Sequence, residues 1–308
     1  MQSANERREV RVGIDLGGTK IAGVVLARDG RILEEQRIPA PRQDYAASVA
    51  AVAGLIRSLQ GTAAASPSIG IGLPGSISPR TGLVQNANSV WLNGRPFHRD
   101  VEAAIGLPVR VANDANCFAL SEAVDGAGSG ARSVFGVIIG TGCGGGLVFD
   151  GKIIEGPRSI GGEWGHTPLP WATADEHPGA KCWCGRAGCM ETWLSGTGLE
   201  QDHARVTGET ITGVEIAARA GAGDARAQAS LDRHAGRLAR GLALIANIFD
   251  PEVIVLGGGL SNLDHLYRVL PDLAAPYVFS DAARLDIRPP RWGDASGVRG
   301  AAWLWGGP

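Results

Sequence analysis

Three of the chain's five cysteines lie within eight positions, in the segment KCWCGRAGCM. Cys182, Cys184 and Cys189 give the spacing C-x-C-x4-C. A disulfide between the first two would span a single residue, which is too tight for relaxed geometry, and a reactive thiol needs no triplet. Zinc takes four ligands in a tetrahedral array, and Gly185 and Gly188 provide turns that bring Cys189 back toward the other two. The cluster therefore predicts a metal site that still needs one ligand.

A histidine or a carboxylate must supply that fourth ligand, because Cys117 and Cys143 belong to other motifs. His177 is nearest in sequence, but it lies in the polar loop ATADEHPG. His166 lies sixteen residues before Cys182, at the end of GEWGH. From the residues alone, both histidines stay candidates.

Glycine-rich turns are a second group of segments that could do chemistry. The chain has 46 glycines, and ten of them lie in three clusters, DLGGTK, GTGCGGG and LGGGLS. Backbone N–H groups in such turns can hold phosphate. No G-x-x-x-x-G-K-[ST] is present, and LGGGLSN lacks the third glycine of G-x-G-x-x-G and follows a long helical segment. The sequence therefore excludes P-loop nucleoside triphosphatases and Rossmann dehydrogenases.

The elements around these turns are repeated. Residues 11–38 read as strand, glycine turn, strand, Asp-Gly turn and strand, and residues 133–156 give the same order. Asp44 begins a helical apolar pattern that ends at Gly61, and a longer helical run over about 225–249 leads into the apolar strand EVIVL. This pattern predicts a duplicated α/β architecture in which each half opens with a β-meander. A matched pair of glycine hairpins favours phosphate binding over two unrelated tight turns.

Two carboxylates lie beside these hairpins. Residues 109–112 predict a short buried strand and a helix is predicted from Cys117 onward, so Asn113 and Asp114 sit where α/β proteins place ligands. Either residue could simply cap the helix. Between two phosphate hairpins, Asp114 has a further use, because a carboxylate can accept the proton of an attacking hydroxyl in phosphoryl transfer. Asp15, beside the first hairpin, is assigned to Mg²⁺, bound through water.

Composition narrows the class of protein. The 308 residues carry a formal net charge of -2, which gives no basic surface for nucleic acid or membrane. No apolar run is long enough to span a bilayer, and the N-terminus MQSANERREV has no apolar signal core. These features predict a cytoplasmic protein, where reduced thiols favour metal over disulfide.

Five motifs in order resemble those of the ROK family (repressors, open reading frames, kinases). They are DLGGTK at 15–20, NDAN at 113–116, GTGCGGG at 140–146, GEWGH at 162–166 and CWCGRAGCMET at 182–192. The resemblance covers nearly the whole chain. It implies an actin-like, hexokinase-type ATPase fold of class α/β, with two lobes, duplicated ribonuclease-H-like cores and a cleft between them. It also implies ATP-dependent phosphorylation of a hexose and a homodimer.

The resemblance also implies how the chain is divided. The smaller lobe would comprise residues 1–116 and 296–308, because the C-terminal segment SGVRGAAWLW returns to it as a helix. The larger lobe would comprise residues 117–295.

The resemblance further implies roles for individual residues, with Asp114 as general base. The residues implied for ATP are Gly17, Gly18, Thr19, Lys20, Gly140, Thr141, Gly142, Gly144, Gly258 and Gly259. Those implied for the sugar are Gly75, Asn88, Asn113, Asp114, Glu163, His166 and Glu191. Within the first hairpin, a solvated strand lysine is favoured for Lys20 over a phosphate ligand.

By the same resemblance, His166 is the fourth metal ligand, with Cys182, Cys184 and Cys189. A zinc ion there would be structural, because no coordination position is left open. It would tie GEWGH to CGRAGCMET, so that Glu163 and Glu191 face one sugar.

Other classes are disfavoured. The sugar-responsive repressors of the family carry a DNA-binding domain ahead of the kinase-like body. Here the first phosphate segment, GIDLGGTK, begins at residue 13, so we expect no such domain. A sugar binder without turnover would not need the intact NDAN motif and both hairpins.

The sugar itself is predicted from two segments. SPRTGLVQNANSVWLNGRPF and EWGHTPLPW resemble fructokinases that also accept mannose, which predicts D-fructose phosphorylated at its 6-hydroxyl. The entry to GEWGH departs from that type, since residues 158–162 read RSIGG. This form is closer to the family's N-acetylglucosamine kinases, so N-acetylglucosamine, mannose and glucose stay alternatives.

Overall fold

The computed structural model describes residues 10–61 and 67–307, and two five-stranded sheets organise this part of the chain. The strands of the first sheet are β1 (Arg11–Leu16), β2 (Lys20–Leu26), β3 (Ile32–Pro39), β4 (Ser68–Leu73) and β7 (Val109–Asn113). Those of the second are β8 (Ser133–Ile139), β9 (Cys143–Phe149), β10 (Lys152–Ile153), β11 (Val253–Gly257) and β12 (Ile287–Arg288). A short pair consists of β5 (Ser76–Ile77) and β6 (Val84–Gln85).

The two sheets have the same topology. Their strand orders are β3-β2-β1-β4-β7 and β10-β9-β8-β11-β12. In each, the first three strands form an antiparallel meander, and the meander's first strand pairs in parallel with the strand that follows a helical crossover. The predicted duplicated α/β architecture is confirmed. In both sheets, the glycine hairpin joins the first two strands of the meander.

Helices cover both sheets. They are α1 (Tyr45–Gln60), α2 (Phe97–Ile105), α3 (Asp114–Val124), α4 (Glu191–Leu194), α5 (Gly196–Thr207), α6 (Gly213–Gly221), α7 (Ala225–Phe249), α8 (Asp264–Ala274) and α9 (Ser296–Trp303). The side chain of Asp44 accepts a hydrogen bond from the backbone N–H of Ala47 and so caps α1, as the sequence predicts. None of the helices in the described ranges is long and apolar enough to cross a bilayer.

The C-terminal helix α9 packs on the first sheet, although the second sheet precedes it in sequence. Val298, Ala302 and Trp303 are buried in one cluster with Val24 of β2 and Phe118 of α3. Burying each large apolar side chain contributes roughly 1.5–3 kcal/mol. Helix α3 packs both against α9 and against strands of the second sheet, so it joins the two halves of the molecule.

Glycines permit this close packing of α9. A Cβ on Gly70 of β4 would lie 1.8 Å from the carbonyl oxygen of Ala301. A Cβ on Gly300 of α9 would lie 1.6 Å from the carbonyl oxygen of Cys117. Neither distance can be accommodated without moving backbone, so these two positions require glycine.

Two local predictions need correction at the junction between the halves. The strand predicted over 109–112 extends to Asn113 and is only partly buried, because β7 lies at an edge of its sheet. The helix predicted from Cys117 begins at Asp114. The NDAN motif therefore forms the cap and first turn of α3 and is not a connecting loop.

Candidate functional site

The two glycine hairpins are each closed by a backbone hydrogen bond. Gly17 donates its backbone N–H to the carbonyl oxygen of Lys20 at 3.0 Å, and Gly140 donates to Gly142 at 3.0 Å. Lys20 is 54% exposed and lies 4.0 Å from the carboxylate of Asp294, in keeping with a solvated strand lysine.

The turn after β11 lies against the second hairpin. Gly258 has φ +80°, and a Cβ there would lie 2.6 Å from the carbonyl oxygen of Ile139. The backbone N–H of Gly196, the first residue of α5, donates to the carbonyl oxygen of Gly140 at 2.7 Å. The structure therefore brings the GTGCGGG motif and Gly258–Gly259 together, as expected if both contact one nucleotide.

Asn113 caps α3 and also reaches the first sheet's loop. Its Oδ1 accepts from the backbone N–H groups of Ala115 at 2.9 Å and Asn116 at 3.4 Å. Its Nδ2 donates to the carbonyl oxygen of Gly75 at 3.1 Å. Capping is thus the role of Asn113, which leaves Asp114 as the first helical residue, its carboxylate accepting from the N–H of Ala115 at 2.8 Å.

Gly75 is fixed by the backbone around it. It has φ +80°, and a Cβ there would lie 2.4 Å from the carbonyl oxygen of Gln85 and 2.7 Å from the nitrogen of Ala87. Asn93 holds Ala87 through two 2.9 Å hydrogen bonds, and the neighbouring Asn88 is exposed. Gly75 and Asn88 are therefore close in space to each other and, through Gly75, to Asn113.

Asp114 and Asp15 are electrostatically linked. Both residues keep some surface exposure, yet the surrounding protein desolvates their carboxyl groups. Desolvation, together with the negative charge of Asp15, raises the pKa of Asp114 to about 7. Desolvation raises the pKa of Asp15 to about 6, with Lys20 opposing the rise. A carboxyl that titrates near neutral pH is suited to general base catalysis.

The remaining two acidic candidates converge on the second hairpin. The carboxylate of Glu191 accepts from the backbone N–H of Cys143 at 3.1 Å through Oε2 and from Nε1 of Trp183 at 2.7 Å through Oε1. Burial raises the pKa of Glu163, and the charge of Glu191 adds to the rise while His166 opposes it. Glu163, His166 and Glu191 therefore share one electrostatic environment.

The ligand atoms of His166, Cys182, Cys184 and Cys189 all lie within 4.8 Å of one another. Cys182 Sγ is 3.6 Å from His166 Nδ1, and Cys184 Sγ is 3.6 Å from Cys189 Sγ. With zinc–sulfur bonds of about 2.3 Å, tetrahedral sulfurs are about 3.8 Å apart, so this cluster has the dimensions of a four-ligand metal site. All five cysteines are free, and His177 is not part of the cluster.

The family model described as ROK family matches residues 11–307. This chain belongs to the ROK family. Its two sheets of like topology are accordingly those of the actin-like ATPase fold that the five motifs imply.

Curated ROK relatives cover almost the whole chain. It is similar to an N-acetyl-D-glucosamine kinase of Photobacterium profundum, at 41% identity over 95% of this chain and 98% of the relative. It is also similar to an N-acetyl-D-glucosamine kinase of Vibrio vulnificus, at 38% identity and the same coverage.

Solved ROK structures share the fold. A ROK hexokinase from Thermus thermophilus superposes with a TM-score of 0.85 at 33% identity, over 96% of this chain and 97% of that one. A ROK family glucokinase from Streptomyces griseus, in complex with glucose and AMPPNP, gives a TM-score of 0.77 at 29% identity, over 96% and 98%.

Sequence reasoning missed several contacts of this ROK site. Nε1 of Trp164 donates to the carbonyl oxygen of Gly144 at 2.9 Å and so fixes GEWGH against the second hairpin. Trp183, within the cysteine cluster, orients Glu191. The CWC spacing indicates a role for the thiols. No pattern in the sequence indicates that the tryptophan between them donates a hydrogen bond to the site.

Proposed function

We propose that this chain transfers the γ-phosphoryl group of ATP to the 6-hydroxyl of N-acetyl-D-glucosamine. The observation that carries the proposal is the position of Asp114, at the start of α3 and beside Asn113, with its pKa raised to about 7. The sugar is taken from the curated relatives, which are N-acetyl-D-glucosamine kinases at 38% and 41% identity. Fructose, the first expectation from sequence, receives no support from them, whereas the RSIGG form of residues 158–162 agrees with the alternative.

In the proposed mechanism, Asp114 accepts the proton of the sugar 6-hydroxyl as that oxygen attacks the γ-phosphorus. The bond between the γ-phosphorus and the β,γ-bridging oxygen breaks, and ADP leaves. Asn113 is held by its capping and Gly75 bonds, so its amide is positioned for sugar hydroxyls. Glu163 and Glu191 would hold further hydroxyls. His166 would use Nε2 for the sugar, because its Nδ1 faces the thiols.

The nucleotide would lie along the two hairpins. The Streptomyces griseus neighbour was solved with glucose and AMPPNP, which supports a ternary site in this cleft. The residues proposed for ATP are those of the hairpins and of the turn after β11: Gly17, Gly18, Thr19, Lys20, Gly140, Thr141, Gly142, Gly144, Gly258 and Gly259.

Mg²⁺ fits beside Asp15. A Cβ on Gly297 would lie 3.1 Å from one carboxylate oxygen of Asp15, so glycine at this position leaves space beside that oxygen. The mutual repulsion of Asp15 and Asp114 is the environment in which a cation is favoured. Bound Mg²⁺ supplies charge neutralisation for the phosphates, and Asp15 would hold it through water.

Zinc fits the four-ligand cluster by donor type, number and spacing. All four protein ligands together would complete its coordination, so its role would be structural. It would hold the GEWGH segment to the cysteine segment and thereby keep Glu163 and Glu191 on one side of the cleft.

The packing of α9 on the first sheet supports the expected division into two lobes. The smaller lobe would contain residues 1–116 and 296–308 and the larger one residues 117–295. Closure of the cleft between them would exclude water from the reacting groups.

The proposal is tested by measuring kcat/KM for N-acetylglucosamine, glucose, mannose and fructose at saturating MgATP. We expect N-acetylglucosamine to be preferred at least tenfold, because buried polar groups left unpaired by the wrong sugar cost about 1–3 kcal/mol each. A tenfold preference for fructose would restore the fructokinase assignment. Binding of sugars without turnover of any of them would exclude a kinase.

A further inference from the structure

A small cavity adjoins the proposed sugar site. It has a volume of about 40 Å³. Its polar lining comes from both halves of the molecule and consists of Ser76, Asn113, Asn116, Glu155 and Ser159. Asn113 belongs both to this cavity and to the proposed sugar contacts, so a sugar bound by Asn113 would have a substituent within reach of the cavity.

One wall of the cavity contains an unsatisfied polar group. Asn116 is 5% exposed, and among the described residues its Oδ1 has no hydrogen-bond partner. A buried amide oxygen without a partner costs roughly 1–3 kcal/mol, so such groups normally meet a ligand or a water. The Oδ1 atom of Asn116 is therefore available to accept a hydrogen bond from a donor bound in the cavity.

Glu155 and Ser159 also line the cavity. Burial raises the pKa of Glu155. Ser159 has φ +52°, a conformation that costs a non-glycine residue free energy and is typical of functional positions. Gln85 links the segments that carry Ser76 and Ser159, since its Nε2 donates to Ser76 Oγ and to the carbonyl oxygen of Arg158, both at 3.1 Å.

We infer that this cavity binds the acetamido group of the sugar and selects N-acetylated hexosamines over hexoses. The inference rests on the proposed function and deepens it. An amide offers one N–H donor and one carbonyl acceptor, and the cavity presents both kinds of partner in Asn116, Glu155 and the two serines. A hydroxyl at carbon 2 of the sugar is too short to reach these hydrogen-bonding groups.

The size of the cavity fits this group. A water needs about 10–15 Å³ of such space, so 40 Å³ holds about three water-sized groups. The acetyl part of an acetamido group adds three heavy atoms beyond the nitrogen. Ser159 also lies within residues 158–162, the segment whose sequence favours N-acetylglucosamine kinases over fructokinases.

The first test uses the unmodified protein and a series of N-acyl glucosamines. We expect kcat/KM to fall at least tenfold from the N-acetyl to the N-butyryl sugar, because two further methylene groups exceed the space available. A smaller fall would overturn the inference. Since no substitution is involved, this result does not depend on how a variant folds.

The second test compares Asn116→Leu with Asn247→Leu on α7, whose exposed side chain bonds to the backbone of Tyr277 and Phe279 and does not line the cavity. We expect the ratio of kcat/KM for N-acetylglucosamine to that for glucose to fall at least tenfold in Asn116→Leu and to stay within twofold in the control. An unchanged ratio in both variants would mean that the cavity holds water only.

The proposed function and the proposed role of the cavity can fail separately. If the unmodified protein does not phosphorylate N-acetylglucosamine, the proposed function fails. If it does, but tolerates the N-butyryl sugar or keeps its ratio in Asn116→Leu, the function stands and the cavity's role is wrong.

Discussion

The backbone N–H of Cys143 donates a 3.1 Å hydrogen bond to Oε2 of Glu191. Cys143 begins β9 directly after the second glycine hairpin, and Glu191 follows the clustered cysteines by two residues. This charge-assisted bond therefore links the proposed phosphate site to a proposed sugar ligand that lies next to the metal cluster in sequence. We therefore expect loss of the metal to weaken sugar binding strongly and nucleotide binding less.

Loss of one metal ligand tests this connection. In Cys184→Ser we expect zinc to be lost and the KM for the sugar to rise far more than the KM for ATP, because Glu163, His166 and Glu191 lose their common anchor. A structural zinc contributes on the order of 10 kcal/mol to a small local fold, so partial retention of the segment's order is not expected. Elemental analysis and steady-state kinetics measure both effects.

The histidines provide a matched pair for the same site. His166→Ala should lose the zinc that His177→Ala keeps, because only His166 lies in the cluster. One zinc per chain in His166→Ala and none in His177→Ala would reverse the ligand assignment.

Two helical glycines test the packing of α9. Gly300→Ala should lower the free energy of unfolding by about 2 kcal/mol or more, because its Cβ would lie 1.6 Å from the carbonyl oxygen of Cys117. Gly54→Ala on the exposed face of α1 meets nothing within 4 Å and should raise it by about 0.5–1 kcal/mol. Urea unfolding of both variants decides the matter, and equal effects would contradict the close contact between α9 and α3.

The raised pKa of Asp114 predicts a pH-dependent stability. In the unfolded chain this carboxyl ionises near pH 4, whereas in the folded protein it keeps its proton up to about pH 7. The folded state binds more protons in this interval, so the free energy of unfolding falls as pH rises from about 4 to 7. Asn cannot ionise, so Asp114→Asn should be stabilised relative to the unmodified protein by about 2–3 kcal/mol more at about pH 7.5 than at about pH 5. The same difference at both pH values, measured by urea unfolding without ligands, would show that Asp114 is not held protonated.

Much of the fold was predictable because its signals are local. In the sequence, the two meanders are apolar runs separated by glycine and Asp-Gly turns. The predicted helix over 225–249 coincides with α7 (Ala225–Phe249). The fold class is predictable because the same order of strands and turns occurs twice in the sequence. The sequence predicts the start of α3 three residues too late, because Asn113 and Asp114 favour both turns and helix starts.

Contacts between distant segments could not be predicted in the same way. In the loop ATADEHPG, the sequence offers His177 as a metal ligand. The residue that holds this loop in place is Glu176, which is buried and forms ion pairs with Arg237 at 2.8 Å and Arg240 at 2.7 Å. Both partners lie far along the chain, on α7. Asn116 likewise looked like the end of a motif, and only the packing around it shows an unpartnered oxygen in a cavity.

Turnover by Asp114→Asn tests the central claim most directly. With N-acetylglucosamine and MgATP, we expect kcat to fall roughly 10²–10⁴-fold, the usual contribution of a positioned base, while the dissociation constants of sugar and ATP stay within about threefold. Asn keeps the shape of the side chain and can still accept from the N–H of Ala115. Retention of kcat within tenfold of the unmodified protein would contradict the assignment of Asp114 as the base.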